Sequence, residues 1–164
     1  GVVILVQSAI KPDWDYAFHN AGYLLAAPTQ VRLYDPHFQA GQVLRFRLVA
    51  NPTRKIDTKT SADGQKNNGQ RVPVPTEKLD DWLIRRAELA GFRVERPTGI
   101  QAGYVYVCKN AKGEGNRLRS ARYDGIMEVT DPVQFRDTLI RGIGPGKAFG
   151  FGLLSVAPVE GLNA

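Results

Sequence analysis

Beyond residue 43 the chain carries strand and helix patterns in an order that few folds accommodate. In residues 43–49 apolar side chains at every second position alternate with Arg45 and Arg47. This period of two predicts a strand with one buried and one exposed face. Asn51-Pro52 ends the pattern, because the residue before a proline disfavours continued regular pairing. A strand of this kind needs a sheet and a covering layer, and the rest of the chain must supply both.

The remaining elements supply them. They are a helix over 77–90 with Thr76 as its predicted N-cap, strands over 92–96, 104–108 and 117–129, a helix from Asp131-Pro132 to about Arg141, and a strand from Phe149 to Val156. With one split strand allowed, the order is βαββαβ, which is that of a ferredoxin-like α+β domain. Such a domain places two helices on one face of an antiparallel sheet and leaves the other face open.

A glycine-rich segment, residues 142–152, joins the last helix to the last strand. It fails as a phosphate-binding loop, because position 141 is arginine and Ala148 replaces the magnesium-binding Ser or Thr. It also fails as a dinucleotide fingerprint, because the third glycine would fall at Lys147. We therefore predict no nucleotide cofactor. The segment could be a helix cap with a connection, but its glycines exceed what a cap needs and would let another backbone, including that of RNA, approach closely. They are Gly142, Gly144, Gly146, Gly150 and Gly152.

The positive charge of the chain is concentrated in two segments. The net charge is +6, and residues 54–71 carry +3 while residues 109–122 carry +4. Two clusters of this kind are what a polyanion-binding surface requires. Charge alone leaves two readings open, a nucleic-acid partner or two solvated basic loops.

The sequence does not indicate a disulfide, a metal site or a membrane span. Cys108 is the only cysteine, so no internal disulfide can form, and we expect a reducing, cytoplasmic environment. The two histidines, His19 and His37, lack a nearby pattern with metal-ligand spacing, so we predict no metal site. No apolar run approaches the roughly 18 residues of a membrane span, so we predict no membrane association.

Residues 142–158, Gly-Ile-Gly-Pro-Gly-Lys-Ala-Phe-Gly-Phe-Gly-Leu-Leu-Ser-Val-Ala-Pro, resemble the C-terminal glycine-rich signature of repeat-associated RNA-binding (RAMP) proteins. The form with Gly-Leu-Leu-Ser resembles CasE, the RNA-processing endonuclease of type I-E CRISPR systems. Further segments that match in the same order are Val-Gln-Ser at 6–8, Lys-Pro-Asp-Trp at 11–14, Gly-Gln-Val-Leu-Arg-Phe-Arg-Leu-Val-Ala-Asn-Pro at 41–52, Asp-Trp-Leu-Ile-Arg-Arg at 81–86 and Tyr-Asp-Gly-Ile-Met-Glu-Val-Thr-Asp-Pro at 123–132.

The resemblance implies two tandem ferredoxin-like domains. Residues 1–40 would then be the end of the first domain with the interdomain linker, and residues 41–164 the second domain. The chain opens in a strand pattern over residues 2–8 and without methionine, which we read as an excerpt of a longer protein. The implied activity is binding of the repeat hairpin of precursor CRISPR RNA and metal-independent cleavage at its base. Attack by the RNA's own 2′-hydroxyl would leave a 2′,3′-cyclic phosphate, and the protein would join the Cascade interference complex.

The resemblance also places the catalytic residues. The family's histidine and its nearby tyrosine lie on the first helix of the first domain, before the strand at residues 2–8. We therefore expect no catalytic residue in this chain, which predicts an inactive excerpt. His19 stays a minor candidate, because Tyr16-Ala-Phe-His19 has a similar spacing. Two alternatives remain open: a non-catalytic RNA-binding subunit of the interference complex, and a ferredoxin-like interaction domain with incidental positive loops.

RNA contacts carry over by position. Arg86, with Arg85 as a weaker candidate, matches a family arginine that contacts RNA, although both could be solvent-facing helix residues. The basic turn at 109–119 matches the hairpin that the family inserts into the repeat stem near the helix end. Arg54 and Lys55 match a basic pair of the family, and we expect them to start a loop. The predicted RNA-binding set is Arg54, Lys55, Arg86, Lys109, Lys112, Arg117, Arg119 and Lys147.

Overall fold

The computed structural model describes residues 7–14, 16, 31–56, 69–108 and 115–159. The chain divides into two compact units, Gly1–Pro36 and His37–Ala164. In the first unit, Asp13 Oδ1 accepts a hydrogen bond of 3.0 Å from the backbone N–H of Tyr16. Most of the strand predicted over residues 2–8 lies outside the described residues. The identity of residues 1–40 as the end of a first ferredoxin-like domain stays a prediction.

The second unit contains eight described helices and strands besides two short 3-10 turns. In chain order they are β1 Val43–Ala50, β2 Thr53–Ile56, β3 Gln70–Pro73, α1 Leu79–Glu88, β4 Phe92–Cys108, β5 Gly115–Val129, α2 Pro132–Arg141 and β6 Leu154–Pro158. The 3-10 turns are Thr76–Lys78 and Lys147–Phe149. Apart from β2 and β3, which pair with each other in a separate two-stranded sheet, the order is the predicted βαββαβ.

The main sheet has the strand order β4-β5-β1-β6. Strand β1 lies at its centre and runs antiparallel to both neighbours, with Phe46 opposite Gly125 on β5 and opposite Val156 on β6. The first and third strands of the βαββαβ unit therefore lie inside, and the second and fourth at the edges. The fold is ferredoxin-like, as the sequence predicted.

One face of the sheet carries the core. On β1 the residues at every second position from Leu44 to Ala50 are buried, and α1 and α2 pack their apolar sides over them. Trp82 of α1 stacks on Tyr123 of β5 with ring centroids 6.1 Å apart, and Phe135 of α2 meets Phe92 edge-on at 5.8 Å. Full burial of each such side chain contributes about 1.5–3 kcal/mol. The helices are thereby fixed on this face. The opposite face is mixed, with charged side chains such as Arg47 and Asp124 beside the exposed Ile126.

Strand β4 differs from the prediction. Two short strands were expected over 92–96 and 104–108, but Phe92–Cys108 is continuous. Its register against β5 shifts between Val94 and Pro97 and again between Pro97 and Gly99. Proline cannot donate to a ladder and glycine weakens a strand, so the alternating pattern is interrupted where the backbone continues. The shifts are a β-bulge-like irregularity inside one long strand.

The predicted N-cap of α1 is wrong, and the predicted N-cap of α2 is confirmed. Thr76 is not the N-cap of α1: the helix begins after Lys78, whose side chain makes no capping hydrogen bond. Asp131 caps α2 as predicted, because its Oδ1 accepts hydrogen bonds of 3.0 Å from the backbone N–H groups of both Val133 and Gln134. Pro132 occupies the first helical turn, where its missing N–H costs nothing.

The predicted end of α2 is confirmed, whereas the predicted start of the last strand is wrong. Gly142 follows Arg141 as expected, and its N–H donates to Thr138 O at 2.7 Å. The last strand begins at Leu154 rather than Phe149. Phe149 instead ends a 3-10 turn bounded by Gly146 and Gly150, both in the left-handed conformation.

Candidate nucleic-acid interface

Strands β4 and β5 extend past the rest of the sheet. The pairing of β1 with β5 ends at Ala50 opposite Ala121, whereas β4 and β5 stay paired to Cys108 opposite Gly115. Among the described residues, 103–108 and 115–120 therefore form a two-stranded extension, called the ribbon below. Its described side chains are exposed or half-buried, except that of Arg119, which is buried.

One face of the ribbon carries alternating aromatic and cationic side chains. Tyr104 lies opposite Arg119, and Tyr106 lies opposite Arg117. The guanidinium carbon of Arg117 lies 3.7 Å from the ring centroid of Tyr104 and 5.8 Å from that of Tyr106. That of Arg119 lies 5.0 Å from the Tyr104 centroid. These four side chains, called the Arg–Tyr ladder below, lie within the distance at which an aromatic face attracts a cation.

The two arginines of the ladder have different surroundings. Arg117 is exposed, whereas Arg119 is only 8% exposed. One Nη of Arg119 donates a 2.7 Å hydrogen bond to Thr76 Oγ1. This bond holds the ladder to the start of α1 and uses the hydroxyl that was predicted to cap the helix. Arg117 has the surface that a phosphate or base edge needs, and Arg119 has a structural partner.

Tyr123 lies below the ladder, four residues beyond Arg119 on β5. Its hydroxyl donates a hydrogen bond of 3.2 Å to the backbone oxygen of Leu79. Burial, helped by the nearby carboxylate of Asp80, raises the pKa of Tyr123 well above that of a free tyrosine, and the positive charge of Arg119 offsets only part of the rise. Tyr123 is therefore a neutral hydrogen-bond donor that ties β5 to α1.

The glycine-rich loop, residues 142–152, packs tightly on its own protein. A Cβ at Gly144 would lie 3.2 Å from Trp82 Cζ2, and one at Gly152 would lie 2.6 Å from the backbone oxygen of Ile143. Added Cβ atoms at Gly142 and Gly146 would meet other atoms of the chain at 2.9 and 3.0 Å. Around Gly150, the described part of the chain places no atom within 4 Å of such a Cβ. Internal packing thus explains four of the five glycines, and Gly150 is the position with space for another molecule.

The predicted basic residues outside the ribbon lie on different elements. Arg86 of α1 is half-buried, with its guanidinium carbon 5.7 Å from the Trp82 ring centroid. Arg85 is exposed and its Nε lies 3.5 Å from the backbone oxygen of Asp81. Lys147 is exposed on the 3-10 turn of the glycine-rich loop. All three keep surface for a ligand.

Arg54 and Lys55 do not start a loop, as was expected. They lie within β2, opposite Val72 and Arg71 of β3. Both are exposed, and as consecutive strand residues they point to opposite faces of the small β2–β3 sheet. A single flat surface can therefore use one of them directly, not both.

The open face of the main sheet carries arginines that are matched by carboxylates. Asp124 accepts from Arg47 at 2.6 Å and from Arg122 at 2.8 Å, and Arg93 contacts Glu128 at 2.6 Å. Burial tends to raise the pKa of Asp124, but the hydrogen bonds from the two arginines outweigh it and hold the pKa below its usual value. These pairs compensate much of the positive charge on this face.

Comparison with known proteins agrees with this architecture. The family model described as "CRISPR associated protein" matches residues 1–158. The CRISPR-associated endoribonuclease Cse3 of Thermus thermophilus is 38% identical over 95% of this chain and 73% of its own length. The CRISPR system Cascade subunit CasE of Escherichia coli K12 is 30% identical over 97% of this chain and 76% of its own.

The chain belongs to the CasE family of CRISPR-associated proteins.

A solved structure of the Thermus Cse3 extends the similarity to three dimensions. That protein, bound to an RNA representing a pre-cleavage complex, superposes with a TM-score of 0.66 at 35% identity. The match covers 92% of this chain and 68% of the Cse3 chain. The ferredoxin-like unit described above is therefore the CasE fold, and the resemblance noted in the glycine-rich segment is confirmed.

Several residues of interest in this CasE-family chain lie outside the described residues. They are Lys109 and Lys112 of the basic segment and the minor catalytic candidate His19. His37 is described and exposed. Among the described residues, no group of three or more His, Cys, Asp or Glu side chains is arranged to hold a metal ion. In the same residues no helix is long and apolar enough to cross a membrane.

The sequence reasoning missed the two tyrosines of the ladder. Tyr104 and Tyr106 are 42% and 73% exposed, yet they were read only as parts of a strand. The available signal was the matched period of two on both strands: Tyr-Val-Tyr at 104–106 and Arg-Leu-Arg at 117–119. In an antiparallel pair joined by one turn, such patterns place aromatic and cationic side chains on one face.

Proposed function

We propose that this CasE-family protein binds the repeat hairpin of precursor CRISPR RNA. We further propose that it is the RNA-binding part of an endoribonuclease that cleaves at the base of that hairpin. The observation that carries the proposal is the 38% identity, over 95% of the chain, to a protein named CRISPR-associated endoribonuclease. The geometry supports it independently. The ribbon presents an exposed arginine within a ladder of aromatic rings, and such groups contact the phosphates and stack on the bases of RNA.

The proposed reaction is metal-independent. The 2′-hydroxyl beside the cleaved bond would attack the adjacent phosphate, forming the new P–O bond as the 5′-oxygen leaves with a proton. The products would be a 2′,3′-cyclic phosphate and a free 5′-hydroxyl. This chemistry needs a proton acceptor, a proton donor and positive charge near the phosphate. As part of the proposal, the histidine and tyrosine implied by the family resemblance are not assigned to residues of this chain, which supplies RNA binding.

Within the binding surface, the proposed contacts differ in the support they have. Arg117 combines exposure with a fixed position in the ladder. Arg54, Lys55, Arg86 and Lys147 have exposed or half-buried side chains on separate elements. Lys109 and Lys112 are proposed from their place in the basic segment. Arg119 is the weakest proposed contact, because its buried guanidinium already donates to Thr76.

Assembly into an interference complex is the second part of the proposal. The Escherichia coli relative, 30% identical, is named a subunit of Cascade. The same relationship supports the alternative function, a non-catalytic RNA-binding subunit of such a complex. We propose a cytoplasmic location, which suits a chain with a single cysteine and therefore no internal disulfide.

A titration of the chain against a labelled CRISPR-repeat hairpin in EDTA tests the proposal, with native and denaturing gels from each tube. A salt-sensitive shift without cutting is the expected result, since Lys and Arg contacts to phosphates weaken steeply with salt. Metal-free cutting would support the reaction class but place a catalytic residue inside this chain, with His19 as the first to test. Binding that is weak and indifferent to salt would contradict the RNA-binding proposal.

A further inference from the structure

Tyr106 of the ribbon does not pack against the core of the protein. Tyr106 is 73% exposed on a ribbon that extends past the sheet, so its ring contributes little to the core. The exposed face of the ring is apolar surface that a bound ligand could still bury. Its described ring contact is with Arg117, whose guanidinium carbon lies 5.8 Å from the ring centroid.

The ladder beneath Tyr106 is fixed from its inner end. Arg119 is buried and bonded to Thr76 Oγ1 at 2.7 Å, so it cannot swing away. Tyr104 packs on Arg119, and Arg117 packs on Tyr104 at 3.7 Å. Each group limits the rotamers of the next. The exposed end of the ladder is therefore pre-organised, which reduces the ordering cost of binding a flat ligand there.

We propose that Tyr106 and Arg117 form a stacking site for one unpaired nucleobase of the bound RNA. The inference rests on the proposed RNA-binding function and adds to it a specific substrate feature, a nucleotide outside the paired stem. Bases inside a duplex are already stacked, so an exposed tyrosine can stack only on a base that is unpaired or lies at a helix end. The positive charge of Arg117 beside the ring suits the phosphates that flank such a base.

A test compares three variants of the full chain with wild type. Tyr106→Ala removes the ring, Tyr106→Phe keeps it, and Val105→Ala is the matched control on the opposite face of the same strand, where Val105 is 41% exposed. The probe is a CRISPR-repeat hairpin with single-stranded tails on both sides, together with versions that carry one abasic site at each unpaired position. Affinity is measured by fluorescence anisotropy, and thermal unfolding checks that each variant is folded.

The expected result is that Tyr106→Ala weakens binding of the intact hairpin about tenfold, as the loss of one base stack should. Tyr106→Phe and Val105→Ala should stay within about twofold of wild type. With one of the abasic RNAs, wild type and Tyr106→Ala should bind equally, because the stacking partner is already gone.

Two results would overturn the inference while leaving RNA binding intact. One is a Tyr106→Ala affinity equal to that of Val105→Ala. The other is the same loss with every abasic RNA, together with disappearance of that loss in an Arg117→Ala background, which would show that Tyr106 only holds Arg117 in place. If wild type binds no hairpin at all, the proposed function itself fails, and that outcome is distinct from either of these.

Discussion

The glycine-rich loop and the ribbon are built in opposite ways. In the loop the distinctive residues face inward: Gly144 lies against Trp82, and Gly152 lies against Ile143. In the ribbon the distinctive residues face outward, with Tyr106 and Arg117 exposed on a two-stranded extension. The loop owes its composition to close packing, whereas the ribbon's composition has little packing to explain it. Function is therefore argued more strongly from the ribbon than from the loop.

The same contrast recurs inside the ribbon at single-residue scale. Arg117 and Arg119 lie two positions apart on one strand face and contact the same tyrosine. One is exposed, and the other is 8% exposed with Thr76 as its partner. A basic segment in a sequence thus contains both ligand-facing and structural cations, and only burial and hydrogen bonding separate them.

The largest expected effect tests whether the loop is packed as described. Gly152→Ala should lower the free energy of unfolding by about 3 kcal/mol, because its φ of 90° disfavours a side chain and the new Cβ would lie 2.6 Å from Ile143 O. Gly150→Ala is the matched control: its φ is 81° but the surrounding space is open, so a loss of about 1 kcal/mol is expected. Urea denaturation measures both. Equal losses would show that steric packing is not what distinguishes the loop.

A smaller effect should separate the two arginines of the ladder. Arg119→Ala removes a buried cation and its hydrogen bond to Thr76, and should destabilise the fold by about 1–3 kcal/mol. Arg117→Ala removes an exposed side chain and should change stability by less than about 0.5 kcal/mol. Thermal and urea unfolding of both variants provide the measurement. If Arg117→Ala proves the more destabilising, the assignment of structural and ligand-facing roles is reversed.

The smallest effect concerns Asp124, the carboxylate that bonds to two arginines on the open face of the sheet. Arg122, farther along the ribbon strand β5, and Arg47 both bond to Asp124, whose pKa they hold below its usual value against the opposing effect of burial. A depressed pKa means that the ionised form stabilises the fold above the unfolded pKa of about 3.9, and that this stabilisation is lost as pH falls through the folded pKa. Asp124→Asn should therefore cost about 0.5 kcal/mol at pH 7, the size of an exposed ion pair.

The control for this prediction is its pH dependence. The stability difference between wild type and Asp124→Asn should shrink as the pH falls below the unfolded pKa of about 3.9 and through the depressed folded pKa, because Asp124 then becomes protonated in both states. A difference that stays constant over this range would mean that the charge of Asp124 is not the source of the effect, and that the substitution acts through packing.

The sequence predicted the parts of the fold that depend on local chemistry. The alternation on β1, the Asp131 cap and the Gly142 stop were all recognisable, because each follows from a residue's own geometry or hydrogen bonding. Thr76 was misread as a cap because its hydroxyl binds Arg119, 43 residues away. β4 was split in two because the pattern is broken around Pro97 where the backbone pairing continues with a shifted register.

The candidate site was predicted in outline and not in detail. Charge identified the segment that forms the ribbon, and resemblance identified its family role. Neither could show that Arg119 turns inward, because its burial depends on the start of α1, which is distant in sequence. Neither pointed to Tyr104 and Tyr106, because their role follows from the cross-strand register that opposes them to arginines.

Hairpin binding as a function of salt, compared for wild type, Arg117→Ala and Arg136→Ala, tests most directly the claim that the ribbon binds RNA. Arg136 is an exposed arginine of α2, so the control removes the same formal charge elsewhere on the fold. The account predicts that Arg117→Ala weakens binding about tenfold and reduces the magnitude of the slope of log affinity against log salt by about one, while Arg136→Ala changes neither. Equal effects of the two substitutions would contradict it, since binding would then follow overall charge and not the ribbon.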